Sequence, residues 1–108
     1  MKIFLAQQNY HIGNFEANAQ KIIAAIKRGK AAGADLILFS ELCVCGYPPR
    51  DFLEFDDFIN QCYETIDIIK QHADTVGVLI GSPARNPNID GKDLFNAAFL
   101  LYEKEIKA

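Results

Sequence analysis

Glu41 is the residue whose type and position could most readily do chemistry. It stands two residues beyond Leu36-Ile37-Leu38-Phe39, an apolar run that reads as a strand. In an open α/β sheet, ligands and reacting groups collect at the carboxyl ends of the strands. A carboxylate held against an apolar strand end loses hydration, its pKa rises and it becomes a usable general base. Position alone leaves a second reading open, a loop glutamate in solvent.

Cys43 and Cys45 follow within four residues of Glu41, and Cys62 lies further on. A nucleophilic thiol needs a base or a cation beside it, and the imidazoles available, His11 and His72, are both distant in sequence. Small buried thiols are common core fillers, so packing is the better account of all three cysteines. Cys43-Val44-Cys45 is one residue short of a Cys-x-x-Cys pair and has no second pair to complete a zinc site; no metal is expected. His72 is expected near the end of a helix, where its ring meets the last carbonyls. Neither a Gly-x-Gly-x-x-Gly turn nor a Gly-Lys-Ser/Thr loop occurs, which argues against a nucleotide site within these residues.

Composition narrows the class. The chain has 108 residues, 11 Lys+Arg against 14 Asp+Glu and a net charge of −3, which excludes a nucleic-acid or acidic-membrane binder driven by bulk charge. Half the residues are hydrophobic and 23% are charged, a globular balance with room for one domain. The apolar runs fall far below the ~20 residues of a membrane span. The run after Lys2 is shorter than the roughly 7 to 15 residues of a secretory signal core. A cytoplasmic location is therefore expected, with the cysteines kept as thiols and no structural disulfide.

Hydrophobic patterning supplies the elements that must position Glu41. Lys2–Gln7 reads as a buried strand, and His11–Phe15 as a loop in which Asn14 caps the next helix. From about Glu16 to Ala32, Ala19, Ile22, Ile23 and Ile26 recur at helical spacing, and Gly33 supplies a stop. Leu36–Phe39 shows no alternation, as for a strand covered on both faces. Pro48 and Pro49 make Cys43–Leu53 a loop. A second helix carries Phe55, Phe58, Ile59, Cys62, Ile66 and Ile69 on one face and runs to about Asp74. Val76–Gly81 reads as a third strand, Ser82–Asp93 as a polar loop with an Asp90-Gly91 turn, and Leu94–Tyr102 as a fourth strand. The order β-α-β-α-β-β predicts an α/β fold with helices packed on a mainly parallel sheet. The charged residues Glu103–Ala108 look like the start of an element without its completion, so the chain reads as the first part of a larger domain.

The segment from Leu36 through Ser40-Glu41-Leu42 to Gly46-Tyr47-Pro48-Pro49-Arg50-Asp51 resembles the nitrilase, or carbon-nitrogen hydrolase, superfamily, and in particular the glutaminase domains of glutamine-dependent NAD synthetases. Lys2–Gln7 matches the family's opening strand, Gly13-Asn14 and Asn18 its turn and following helix, and Ile80-Gly81-Ser82 and Leu94-Phe95-Asn96-Ala97-Ala98 its later strands. Ser40 departs from the family, which usually has proline before the glutamate. The resemblance spans essentially the whole chain and implies the N-terminal part of a nitrilase-like α-β-β-α sandwich over residues 1–108. It implies that Glu41 is the general base of a Glu-Lys-Cys triad acting on the side-chain amide of glutamine. The triad lysine and cysteine would lie beyond this sequence; Lys104 and Lys107 are outside the family's lysine motif and read as solvated charges. None of the three cysteines matches the nucleophile's setting. Tyr47 would help to shape the glutamine pocket, with packing over the sheet edge as the other reading. The resemblance further implies homo-oligomers and a separate synthetase domain using ATP, Mg and deamido-NAD, so this chain alone would be inactive. Two other readings stay open at this level: another amidase of the superfamily, or a small non-enzymatic α/β binding module.

Overall fold

The computed structural model describes residues 1–6, 8, 10, 14–40, 43–45, 56–85 and 94–107. In chain order the elements are β1 (Ile3–Ala6), α1 (Phe15–Ala31), β2 (Leu36–Phe39), α2 (Asp56–Lys70), β3 (Gly77–Arg85), β4 (Leu94–Tyr102) and β5 (Glu105–Ile106). The strands form a single sheet in sequential order; β1 and β3 flank β2 in parallel, while β3–β4 and β4–β5 are antiparallel. The sheet is thus mixed rather than mainly parallel. A parallel return needs a crossover of about a dozen or more residues, and the link from Arg85 to Leu94 is too short for one, so β4 comes back as a hairpin partner.

Local chemistry sets the helix ends. The Asn14 side chain accepts a hydrogen bond from the Ala17 amide at 3.2 Å, and Glu16 lies in the first turn against the positive end of the dipole. At the other end Gly33 takes φ +78°, a left-handed conformation that costs glycine little, and its amide bonds the Lys30 carbonyl at 3.0 Å. The Lys30 ammonium pairs with Asp74 at 2.7 Å, tying the end of α1 to the segment leading into β3.

Both helices cover one face of the sheet. Successive crossovers of the same right-handed sense, stepping from β1 to β2 to β3, must place their helices on the same side. Ile22 and Ile26 of α1, Ile59, Cys62, Ile66 and Ile69 of α2, and Ile37, Val78, Ile80 and Leu101 of the sheet are fully buried together. Phe15 and Phe58 meet edge to face across the helix pair, with ring centroids 5.1 Å apart. The opposite face is different. Ile3 is 50% and Leu5 65% exposed, and in register with them stand Leu36 and Leu38, only partly buried. The expectations of a buried β1 and of a β2 covered on both faces are therefore corrected for this chain: the helix side is the covered one.

Two further boundaries shift. β3 runs to Arg85, through residues expected to be loop. Beyond Leu79 the strand no longer pairs with β2, and at such an open edge a proline such as Pro83 is tolerated. The charged tail after β4 is a hairpin: Glu103 and Lys104 have φ of 54° and 60°, forming a tight two-residue turn into β5 without the usual Asn-Gly signal. The Asp90-Gly91 turn and His11 lie outside the described residues.

α1 sits close against the sheet at Gly29, where an added Cβ would lie 2.5 and 2.8 Å from two carbons of the fully buried Ile37 side chain. Gly29→Ala gains up to about 1 kcal/mol of helix propensity but overpacks the core at about 1–3 kcal/mol. A net loss of stability is expected in urea unfolding, and an unchanged or raised midpoint would show that α1 can lift off. The uncovered apolar face makes the isolated 108-residue chain prone to self-association. Sedimentation should show this, and the double substitution Ile3→Lys with Leu5→Lys should reduce it; a sharp monomeric melt of the parent chain would contradict the expectation.

Candidate active site

β2 ends at Phe39, and Ser40 follows as the last described residue before Glu41. Glu41 lies outside the described residues, as does Tyr47. In the chain, Ser40 precedes Glu41 and the described turn Cys43–Cys45 begins two residues after it.

Three contacts hold that turn. The Val44 amide donates to the Gly81 carbonyl of β3 at 3.2 Å. The Cys43 thiol lies 3.8 Å from the same carbonyl. The Asn18 carboxamide, fully buried on α1, donates to the Val44 carbonyl at 3.3 Å. A buried amide without a partner costs about 1–3 kcal/mol, so these bonds satisfy the Val44 amide and carbonyl and hold the turn that begins two residues after Glu41. In the sequence Asn18 stands out only through the family resemblance; the structure makes it the link between α1 and this turn.

Cys43 is buried away from charge, which pushes its thiol up to about 12 and keeps it neutral at physiological pH. Cys43, Cys45 and Cys62 are all free and fully buried in the core, as the packing reading expected. Tyr10 lies near Cys43, and burial foremost, then the sulfur, raises its hydroxyl pKa far above the ordinary value, with Arg28 opposing. His72 follows α2, its amide bonding the Ile69 carbonyl at 3.0 Å. Among the described residues no group of three or more His, Cys, Asp or Glu side chains could hold a metal ion. Lys104 is exposed, and Lys107 pairs with Glu105 at 2.9 Å and Glu103 at 3.4 Å.

Next to Ser40 the sheet carries a depression of about 220 Å³, lined by Phe39, Ser40, Leu79, Ile80, Gly81, Ala97 and Ala98. Register explains it. Gly81 pairs with Ala98 and Ser82 with Ala97, so the two short motifs noted separately in the sequence are cross-strand partners. Their small side chains leave room where bulkier strand residues would fill it, and glycine within a strand often marks the approach of a ligand. Leu79 pairs with Leu38 and Leu100, which places this stretch level with the end of β2. The floor residues Gly81, Ala97 and Ala98 were not singled out as site residues from the sequence, since only the antiparallel register brings them together.

The carbon-nitrogen hydrolase family model matches residues 2–106. The chain belongs to the carbon-nitrogen hydrolase family. Among curated relatives, a glutamine-dependent NAD(+) synthetase of Synechocystis is 38% identical over 97% of this chain, and one of Thermotoga maritima is 31% identical over 98%. The chain spans about a fifth of the length of these relatives, 20% and 18% respectively. Among solved structures, a glutamine-dependent NAD(+) synthetase from Cytophaga hutchinsonii superposes with a TM-score of 0.88 at 26% identity, over 97% of this chain and 17% of that one. An amidase from Nesterenkonia sp. shares the fold, with a TM-score of 0.80 at 21% identity over all of this chain and 41% of the amidase. The α/β framework is therefore that of the N-terminal part of a nitrilase-like fold.

Removing the Asn18 carboxamide tests the anchored turn. Asn18→Ala should cost about 1–3 kcal/mol by stranding the Val44 carbonyl in the core. Asn18→Asp should cost at least as much, because a carboxylate cannot donate and brings a buried charge. Urea unfolding of both variants checks this, and wild-type midpoints would mean that the turn is held without Asn18.

Proposed function

We propose that this chain is the N-terminal portion of the glutaminase domain of a glutamine-dependent NAD synthetase, hydrolysing the side-chain amide of glutamine and supplying ammonia to a synthetase domain. The observation that carries the reading is the depression at the end of β2, bordered by Ser40 and followed directly by Glu41, in a chain matched from 2 to 106 by the carbon-nitrogen hydrolase model. The names of the relatives, with 38% identity for the Synechocystis protein, support the choice of glutamine over other amides.

In this reading Glu41 is the general base. A neutral thiol is a poor nucleophile near neutral pH, so a carboxylate at the strand end takes the thiol proton as the sulfur attacks the amide carbon. The tetrahedral intermediate places negative charge on oxygen, which needs a donor. A lysine fills that need in the family's triad, and neither it nor the nucleophile is among the cysteines and lysines of this chain. Ammonia then leaves, and water releases glutamate from the thioester. Tyr47, two residues after Cys45, is proposed to wall the glutamine pocket.

ATP, Mg and deamido-NAD belong, in this proposal, to the synthetase domain; an ADP complex is described for the Acinetobacter baumannii synthetase. Gly-rich phosphate loops are absent from this sequence, in keeping with that division of labour. A cytoplasmic homo-oligomer is proposed as the working form. Among the described residues no helix is long and apolar enough to cross a membrane.

Glu41→Gln in the full-length protein is the decisive substitution. It should lower glutamine-dependent NAD synthesis by about 10²–10⁴-fold, the usual contribution of a general base, while ammonia-dependent synthesis persists. Loss of both reactions together would assign Glu41 a structural role. Retention of the glutamine reaction would remove it from the mechanism.

A further inference from the structure

Val44 is the middle residue of the turn Cys43–Cys45, and all three residues are fully buried although they belong to neither a helix nor a strand. Backbone polar groups enclosed in this way have no water to bond and no regular ladder to join. The two groups of Val44 are served from different elements. Its amide donates to the Gly81 carbonyl of β3 at 3.2 Å, and its carbonyl accepts from the Asn18 carboxamide of α1 at 3.3 Å. One residue is thereby pinned to the sheet through one group and to the helix through the other.

Asn18 is the polar exception on its helix face. The other buried residues of α1 are Ala19, Ile22, Ala25, Ile26 and Gly29, an apolar stripe at helical spacing. A carboxamide within that stripe loses hydration and has a lower helix propensity than alanine; the bond to Val44 offsets that cost. Its placement is firm. The Asn18 amide bonds the Asn14 carbonyl at 3.0 Å, the Asn14 side chain caps the helix, and Gly29 seats the same helix against Ile37.

We propose that Asn18 is a positioning residue for amide hydrolysis, holding through Val44 the stretch of chain that carries Glu41. The proposal rests on the reading of Glu41 as the general base. Glu41 and Leu42 are the two residues that join Ser40, after β2, to Cys43, at the start of the turn. A two-residue span tethered at both ends has far fewer conformations than one tethered at a single end. β2 supplies the first tether through its pairing on both sides, and the bonds of Val44 supply the second. Without the Asn18 carboxamide the bond to Gly81 remains, but the Val44 carbonyl is released from α1. General-base catalysis works over a heavy-atom separation of about 2.6–3.2 Å, and a misplacement of about 1 Å costs on the order of 10²-fold. A purely structural role has a different signature: loss of Asn18 then lowers the fraction of folded sites and leaves each folded site at full speed.

The test uses the full-length protein and counts its competent sites. An electrophilic glutamine analogue that bonds covalently to the nucleophilic thiol, incubated to completion, gives the sites per chain, and glutamine-dependent NAD synthesis is expressed per labelled site. Asn18→Ala should lower that kcat about 10- to 100-fold, with KM for glutamine within about twofold and the ammonia-dependent reaction unchanged. Ile26→Val is the control. It removes a methyl group further along the same buried face, so it should lower the unfolding midpoint while turnover per labelled site stays at the wild-type value. If Asn18→Ala leaves too few sites to count, the comparison is made with Asn18→Ser, whose side chain stops one atom short of the carboxamide nitrogen. Wild-type turnover per labelled site in the Asn18 variant overturns the proposal and leaves a structural role. A raised KM at unchanged kcat also overturns it, assigning Asn18 to glutamine binding. A wild-type protein without glutamine-dependent synthesis refutes the glutaminase assignment itself, so the two failures are told apart.

Discussion

β2 is the constraint on which the rest depends. It is four residues long, it pairs in parallel with β1 on one side and β3 on the other, and Ser40 follows it directly. Parallel pairing on both sides requires a crossover before and after it, so α1 and α2 exist in their positions because β2 is central. Ile37, alone fully buried among the four residues of the strand, receives α1 at Gly29, where the absence of a side chain allows the helix to sit against it. Shape complementarity at this contact sets the height of α1 above the sheet.

From that height the anchoring of the site follows. Asn18, near the start of α1, reaches the Val44 carbonyl only because the helix lies close to the sheet, and Val44 in turn reaches Gly81 of β3. A helix, a turn and a strand thus meet directly after Glu41. Among the described residues no buried side-chain nitrogen or oxygen lacks a partner, which is what a turn enclosed in an apolar core requires.

The two faces of the sheet have different fates. One is sealed by isoleucine-rich helices; the other presents Ile3 and Leu5 to solvent, and the depression lined by Gly81, Ala97 and Ala98 lies beside Ser40 at the end of β2. A site in an α/β sheet needs both rigidity beneath it and space above it. The sealed face supplies the first and the small residues supply the second.

Much of this was legible in the sequence. The apolar run Leu36–Phe39, the helical spacing of Ile22 and Ile26, the Asn14 cap and the Gly33 stop are local signals, and the structure places each within a residue of expectation. Glu41 could be singled out because strand ends are where α/β sheets hold reacting groups. Local signals could not say that β3 continues through Pro83, because an edge position depends on where β2 stops pairing. They could not reveal the β5 hairpin, whose turn uses Glu103 and Lys104 in left-handed conformations that favour other residues. Nor could they distinguish a strand covered on both faces from one covered on a single face, since a continuous apolar run looks the same in either case. The sequence by itself determined the order of elements from β1 to β4 and the place of Glu41 in the chain just after β2, because these depend on neighbours along the chain. The pairing of Gly81 with Ala98 and the Asn18 anchor join residues from separate elements, and only the tertiary structure, through register and helix packing, decided them.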